Sequence, residues 1–403
     1  MKPLRRSALA LAACAAACAL FTVPALAQGN WPSKPITLVV SYPAGGDTDA
    51  MARLYAEKLS SRLGQPVIVD NKPGASGIIG NAYVAKAPPD GYTLLLTPST
   101  ISIAQLVLKT GTSNSYDVLR DFTPVVQTAT QPLFLVSGPN GAKDVKELLA
   151  TARAKSLTYA SPGSGSPMHI LGEMFNRASG AKLSHVPYRG VAPAVNDVLG
   201  GHVPVTFITW GPVEPYVATG KVHPLAVADK QRSPLAPNVP TLAELGVKDV
   251  EVTAWQGLMA PKGLSPDIQK TLNAHMNEIL KMPDVAAKMK VFGALPAGGE
   301  PPRLAKVNAE DNARFGQIIK ELGIYPPGAL VQLASGECAI VVRRGPTATT
   351  PLVGCITDRN GAPIVDTPTR DTAEAAFAIV GAGADKSLGR RVLPERFYGL
   401  PAA

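Results

Sequence analysis

Three glycine- and serine-rich stretches hold the residues best placed to do chemistry. They are Tyr42-Pro-Ala-Gly-Gly-Asp-Thr-Asp49, Asn71-Lys-Pro-Gly-Ala-Ser-Gly77, and Ser161-Pro-Gly-Ser-Gly-Ser166 with His169 close behind. Each follows a short apolar run and opens a stretch with helical spacing. Glycine lets the backbone come close to a bound molecule, and the first N–H groups of a helix lack intrahelical partners, so such loops suit an anion or a carbonyl. A single loop of this kind is explained as well by a tight strand-to-helix turn with a hydroxyl cap. Three of them shift the balance toward binding, because loops after strands gather at one edge of an α/β sheet. Asp47 and Asp49, at a helix start, fit capping and dipole complementarity better than paired acid–base chemistry.

Signatures for other chemistries are missing from the sequence. Gly74, Gly77 and Gly80 give Gly-x-x-Gly-x-x-Gly, which is not the dinucleotide fingerprint. Neither a Gly-Lys-Ser/Thr phosphate loop nor a Gly-x-Ser-x-Gly elbow occurs, so Ser164 and Ser166 lack a hydrolase frame. The five histidines (His169, His185, His202, His223 and His275) never fall at i,i+4 spacing or beside a cysteine pair. The expectation is a protein that is not an enzyme and uses neither cofactor nor metal.

The elements that must hold these loops alternate. Residues 36–40 form a short β-branched run, 47–63 show an apolar stripe at helical spacing, and 66–69 and 92–96 are further strands. This βαβαβ pattern predicts right-handed crossovers and a parallel sheet. A second set follows, with strands at 133–136, 158–160, 203–208 and 225–228 and helices at 145–154, 168–178 and 191–199. Amphipathic helices at 264–282 and 304–322 are expected to cover the first lobe. After Ile324 the helices give way to short β-branched runs with turn signals, notably Ser335-Gly336 and Asn360-Gly361, which predicts a small β-rich module. The expected division is residues 28–128 with 250–324 as lobe 1, 129–249 as lobe 2, and 325–403 as the module.

The N-terminus carries Lys2, Arg5 and Arg6, an apolar run, and then Pro24-Ala-Leu-Ala27. That order predicts an export signal cleaved after Ala27, since the run is short of the ~20 apolar residues of a membrane span. Leu11-Ala-Ala-Cys14 also resembles a lipoprotein cleavage box, although the apolar run continues past it. Three of the basic residues lie in this leader, which holds no acidic residue, leaving +6 of the chain's net +9. That charge is thinly spread, with charged residues at 17%, and it fits solubility rather than a nucleic-acid footprint. Only Cys338 and Cys355 follow the leader, and their spacing leaves open whether they pair.

Trp31-Pro-Ser-Lys-Pro-Ile-Thr, Tyr-Pro-Ala-Gly-Gly-Asp-Thr-Asp-Ala-Met-Ala-Arg53, Val-Asp-Asn-Lys-Pro-Gly-Ala-Ser-Gly77, Pro-Asp-Gly-Tyr-Thr-Leu-Leu95 and Ser-Pro-Gly-Ser-Gly-Ser-Pro-Met-His169 stand in this order. His-Val-Pro-Tyr-Arg-Gly190, Val-Pro-Thr-Leu-Ala-Glu-Leu-Gly246 and Trp-Gln-Gly-Leu-Met-Ala-Pro261 continue it. Together they resemble the substrate-binding receptors of tripartite tricarboxylate transporters, the Bug-type periplasmic proteins, over about residues 31–324. The resemblance implies an α/β two-lobed periplasmic-binding-protein (Venus flytrap) fold with two crossover strands. It also implies a monomeric periplasmic receptor that captures a small organic acid and delivers it to membrane permease subunits. A ligand sensor that docks to a signalling partner is the alternative.

Carried over, the first-lobe contacts are Ala44, Gly45, Asp49, Gly74, Ala75, Ser76, Thr97 and Ser99. Those of the second lobe are Ser161, Ser164, Ser166, His169, Tyr188 and Thr209. Ile208 and Trp210 stand where such receptors often carry an Asp-Asn type pair, which hints at a more apolar or aromatic ligand. The tail from Tyr325 through Arg344 and on to Pro363 resembles the β-rich segment that follows HD-GYP phosphodiesterase domains. The metal and Gly-Tyr-Pro motifs of those enzymes are absent, so no hydrolase activity is implied.

Overall fold

The computed structural model describes residues 31–108, 115–325, 329–343, 350–364 and 367–382. The expected leader, residues 1–27, lies outside them. The first lobe begins with β1 (Ile36–Val40), α1 (Asp47–Leu63), β2 (Val67–Asn71), α2 (Ile78–Ala85), β3 (Thr93–Pro98) and the short α3 (Ala104–Val107). β1 lies parallel between β2 and β3; α1 covers Ile36, Leu38 and Val40 on one face and α2 covers Val39 on the other, which accounts for the largely apolar Ile-Thr-Leu-Val-Val run. Met51, Leu54, Tyr55 and Leu59 of α1 pack on that sheet with Leu38, Val40 and Leu94.

β4 (Phe122–Ser137) then leaves the first lobe, and the second contains α4 (Val145–Ala154), β5 (Leu157–Ser161), α5 (Pro167–Ser179), β6 (Leu183–Pro187), α6 (Val191–Leu199), β7 (Val205–Thr209), α7 (Glu214–Val217) and β8 (His223–Val227). The chain returns through β9 (Thr253–Pro261), α8 (Pro266–Leu280), α9 (Pro283–Val291), β10 (Leu295–Pro296) and α10 (Pro301–Leu322). The path through the sheet is β2-β1-β3-β9-β4-β7-β5-β6, with β8 and β10 also paired to β4.

β4 is shared by the two lobes. Residues 122–132 pair antiparallel with β9, whereas Leu133 to Ser137 pair with β7 and β8. The exchange falls at Pro132, which has no N–H to offer a ladder. Helical spacing alone assigned 304–322 to the first lobe, but α10 spans both. Leu304 packs with Val39, Ile101 and Trp255, while Phe315 and Ile319 pack with Leu135, Leu148 and Phe175. Trp255 of β9 is tied to the same helix, its Nε1–H donating to Asp311 at 2.7 Å.

The tail forms its own antiparallel sheet of β11 (Leu330–Leu333), β12 (Cys338–Arg343), β13 (Leu352–Cys355), β14 (Thr369–Asp371) and β15 (Ile379–Ala382), in the order β14-β13-β12-β11-β15. Val331, Leu333, Val341, Val353 and Cys355 fill its core. Ser335-Gly336 turns β11 into β12, and at Asn360-Gly361 the chain reverses between the bridged residues Thr357 and Pro363. Cys338 and Cys355 are not bonded to each other; Cys355 stands opposite Ala339 in the ladder. Burial, with the nearby Glu337 carboxylate, pushes the Cys355 thiol up to about 11. Among the described residues no helix is long and apolar enough to cross a membrane.

Candidate functional site

The loops after β1, β2, β5 and β6 meet between the lobes and enclose two adjoining chambers. One, of about 160 Å³, is lined by Ala44, Gly45, Asp47, Ser99, Gln131 and Ser166 among others. The second, of about 660 Å³, is lined by Gly74, Ala75, Ser76, Ser164 and Tyr188 among others. Tyr42, Pro43, Pro162, Arg189 and Gly190 border both, so the two form one cleft.

Three helices of at least nine residues start on this cleft: α1 after Gly46, α5 after Ser166 and α6 after Gly190. Each presents the positive end of its dipole, and first-turn N–H groups that have no intrahelical partner, to this space. Ser166 caps α5 by accepting from the His169 N–H at 3.2 Å, and Pro167 follows at the first helical position, where a missing N–H costs nothing. Arg189 is exposed on the border and adds a full positive charge.

The lobes touch across the cleft. Gly163 passes so close to Ser76 that a Cβ there would lie 2.9 Å from Ser76 Oγ. A Cβ on Gly165 would lie 3.0 Å from the Ala104 Cα in α3. Gly165 also has φ +76°, a left-handed conformation that other residues adopt only with strain.

Of the residues carried over from the resemblance, Ala44, Gly45, Ser99 and Ser166 line the smaller chamber, and Gly74, Ala75, Ser76, Ser164 and Tyr188 the larger. Asp49, Thr97, Ser161, His169 and Thr209 line neither and are buried behind the wall. Asp49 accepts from the Gly45 N–H at 2.9 Å, from Arg53 Nε at 3.0 Å and from Asn71 Nδ2 at 3.0 Å. Asn71 also donates to the Tyr42 carbonyl, so this clasp holds both ends of the first loop. Burial works against the Asp49 charge, but the bonds from Arg53, Gly45 and Asn71 outweigh it and keep the carboxyl below its ordinary range.

Thr97 donates to Asn81 within the first lobe, and Thr209 ends β7 opposite Leu133. Ser161 and His185 Nε2 share a 2.6 Å hydrogen bond, and the His169 and His185 rings stack with centroids 4.1 Å apart. His169 Nδ1 accepts from the Gly165 N–H, bracing the second-lobe loop from behind. Tyr188 donates to Asp197 in α6, and burial followed by that neighbouring carboxylate pushes its hydroxyl up to about 12. Ile208 and Trp210 lie in a buried cluster with Phe134 and Val213, so neither side chain shapes the cleft wall.

Motif reasoning did not single out Arg189, Gln131 or the cleft position of Asp47. Arg189 sits inside the Tyr-Arg-Gly stretch, but nothing in its spacing tells which way the side chain turns.

Comparison with known proteins agrees with this architecture. Residues 51–324 match the tripartite tricarboxylate transporter family receptor, TctC. The chain is similar to protein BugT of Bordetella pertussis, at 37% identity over 73% of this chain and 91% of that one. Among solved structures it resembles R. palustris Rpa4515 with adipate, at 35% identity and a TM-score of 0.69, covering 73% of this chain and 99% of the other. MatC from Rhodopseudomonas palustris with bound malate is also similar, at 30% identity and a TM-score of 0.67, covering 72% and 100%. The tail beyond residue 324 lies outside the family match. On the strength of a match over most of its length and of these relatives, this chain belongs to the tripartite tricarboxylate transporter receptor family.

Proposed function

We propose that the protein is a periplasmic solute receptor that closes its two lobes on a small organic acid and hands it to membrane permease subunits. The observation that carries this is the convergence of three helix N-termini and Arg189 on one inter-lobe cleft. Unpartnered N–H groups and a guanidinium are matched by a carboxylate, which accepts charge-assisted hydrogen bonds from both. The adipate and malate held by the similar structures support that ligand class. A ligand that bridges both lobes stabilises the closed state only by contacts the open state lacks, which turns binding into a conformational signal a permease can read. In this account Ala44, Gly45, Ser99, Ser166, Gly74, Ala75, Ser76, Ser164 and Tyr188 contact solute, while Asp49, Thr97, Ser161, His169 and Thr209 position the loops.

Thermal-shift and calorimetric titration against aliphatic dicarboxylates and aromatic acids tests this. At 100 times Kd a true ligand adds ~2.7 kcal/mol of stability, which raises Tm by roughly 4 °C for a cooperative unit of this size. Recovery of the ligand unchanged is expected; its turnover would refute a pure receptor. Arg189→Ala is expected to weaken the same ligand about tenfold with little change in Tm, because an exposed charge-assisted bond is lost without leaving a buried group unpaired. Unchanged affinity would remove Arg189 from the site.

A further inference from the structure

We propose that Asp47 sets the specificity of the cleft by accepting a hydrogen bond from the solute, so that the preferred solute is an acid bearing a hydroxyl or ammonium group. This rests on the receptor reading above and narrows its ligand class.

Asp47 is the acidic side chain on the wall of the smaller chamber, half-buried and two residues before the clasp residue Asp49. The two carboxylates have different surroundings. Asp49 is tied to Arg53 by an ion pair at 3.0 Å, whereas no cation stands among the groups that shift Asp47. Asp47 Oδ1 accepts from the Thr48 N–H at 2.8 Å, which meets one need of the helix start.

Oδ2 accepts from Gln131 Nε2 at 3.3 Å. That amide cannot simply turn over, because its Oε1 accepts from Gln256 Nε2 at 3.1 Å and both glutamines are buried. A directed line of donors, Gln256 to Gln131 to Asp47, therefore ends on an acceptor at the cavity wall. Desolvation raises the Asp47 carboxyl above its ordinary range in spite of the bonds from Gln131 and Thr48.

A carboxylate has about four acceptor positions; the Thr48 N–H and hydroxyl take both on Oδ1 and Gln131 takes one on Oδ2, which leaves one on Oδ2. A bare dicarboxylate would bring negative charge toward Asp47, with nothing to offer the remaining position. An acid whose carboxylate meets the helix N-termini and Arg189 while a hydroxyl or ammonium group meets Asp47 satisfies both. A site built to accept from a ligand donor rejects the analogue that lacks it, because the acceptor is then left desolvated and unpaired.

The test uses matched acids: succinate, malate and aspartate, then glutarate, 2-hydroxyglutarate and glutamate, each titrated calorimetrically into the full chain and two variants. The wild type is expected to prefer a donor-bearing acid at least tenfold over its plain counterpart. Asp47→Ala should reduce that preference to less than threefold while the plain acid binds as well or better. Asp47→Asn separates the sources: a hydroxyl preference survives the amide, whereas an ammonium preference is lost. Circular dichroism and Tm verify that the variants fold. Plain acids bound as tightly as their donor-bearing partners, or a preference that persists in Asp47→Ala, would overturn the inference and leave the receptor reading standing. Failure of any acid to bind would sink both.

Discussion

Gly165→Val is expected to weaken solute binding about 100-fold while both lobes remain folded. The effect separates into two parts. The left-handed backbone at Gly165 costs a branched residue ~1–2 kcal/mol in either state of the cleft, which lowers Tm without bearing on affinity. The approach to Ala104 in α3 is expected to form on closure, and there the new side chain would meet backbone that cannot yield. Overpacking of that kind costs ~1–3 kcal/mol. Because apparent affinity scales with the fraction of closed protein, a penalty at the upper end of this range appears as about a hundredfold rise in Kd. Titration calorimetry with an acid identified as a ligand reads the loss, and small-angle scattering should show the variant staying open in its presence. Wild-type affinity would mean that the glycine contact does not govern closure.

Asp49→Ala is expected to lower both stability and affinity, although its side chain does not reach the cleft. The substitution leaves the Gly45 N–H without its acceptor and the Asn71 amide with only the Tyr42 carbonyl, and a desolvated donor so stranded costs ~1–3 kcal/mol. A central value of ~2 kcal/mol corresponds to a drop in Tm of about 3 °C and, if the loop loosens as far, to about 30-fold in Kd. Asp49→Asn should recover part of the loss, since an amide oxygen can still accept from one of the two.

The pH dependence has a defined sign. The folded carboxyl is held below its ordinary range, so the unfolded chain takes up a proton first, near pH 4. The stability this group contributes is thus present in full above that pH and lost as pH falls through the lower folded value. A wild type and an Asp49→Ala variant whose Tm curves converge on acidification would bear this out; parallel curves down to pH 2 would not.

The loops that build the cleft were legible because their chemistry is local. Tyr42-Pro-Ala-Gly-Gly, Lys-Pro-Gly-Ala-Ser-Gly and Ser-Pro-Gly-Ser-Gly-Ser each punctuate an apolar run, and the break from strand to helix can be read from a dozen neighbouring residues. Most of β4 and all of β9 were not located by the same means, although the resemblance implied two crossover strands. The part of β4 paired with β9 contains Pro124, Gln127, Gln131 and Pro132, a composition that argues against a strand until its partner is known. That partner, β9, lies more than a hundred residues away, and its Trp-Gln-Gly core does not alternate in polarity.

A similar limit applied within the site. Asp49 and Asp47 both stand at the start of α1, and only the packing of the lobes turns one toward the loop it holds and the other toward the cavity. Arg189 and Gln131 reach the same space from distant segments, so no spacing links them to it.

The sharing of β4 between the lobes also governs how the molecule comes apart. Melting the first lobe strips β4 of β9, and melting the second strips it of β7 and β8, so each loss exposes backbone donors and acceptors that the other lobe had kept paired. α10, with Leu304 in one core and Phe315 and Ile319 in the other, adds an apolar link of the same kind. Two lobes proposed to close on a solute are therefore expected to unfold as one cooperative unit, while the five-stranded sheet of the tail, which shares no strand with them, is expected to melt separately.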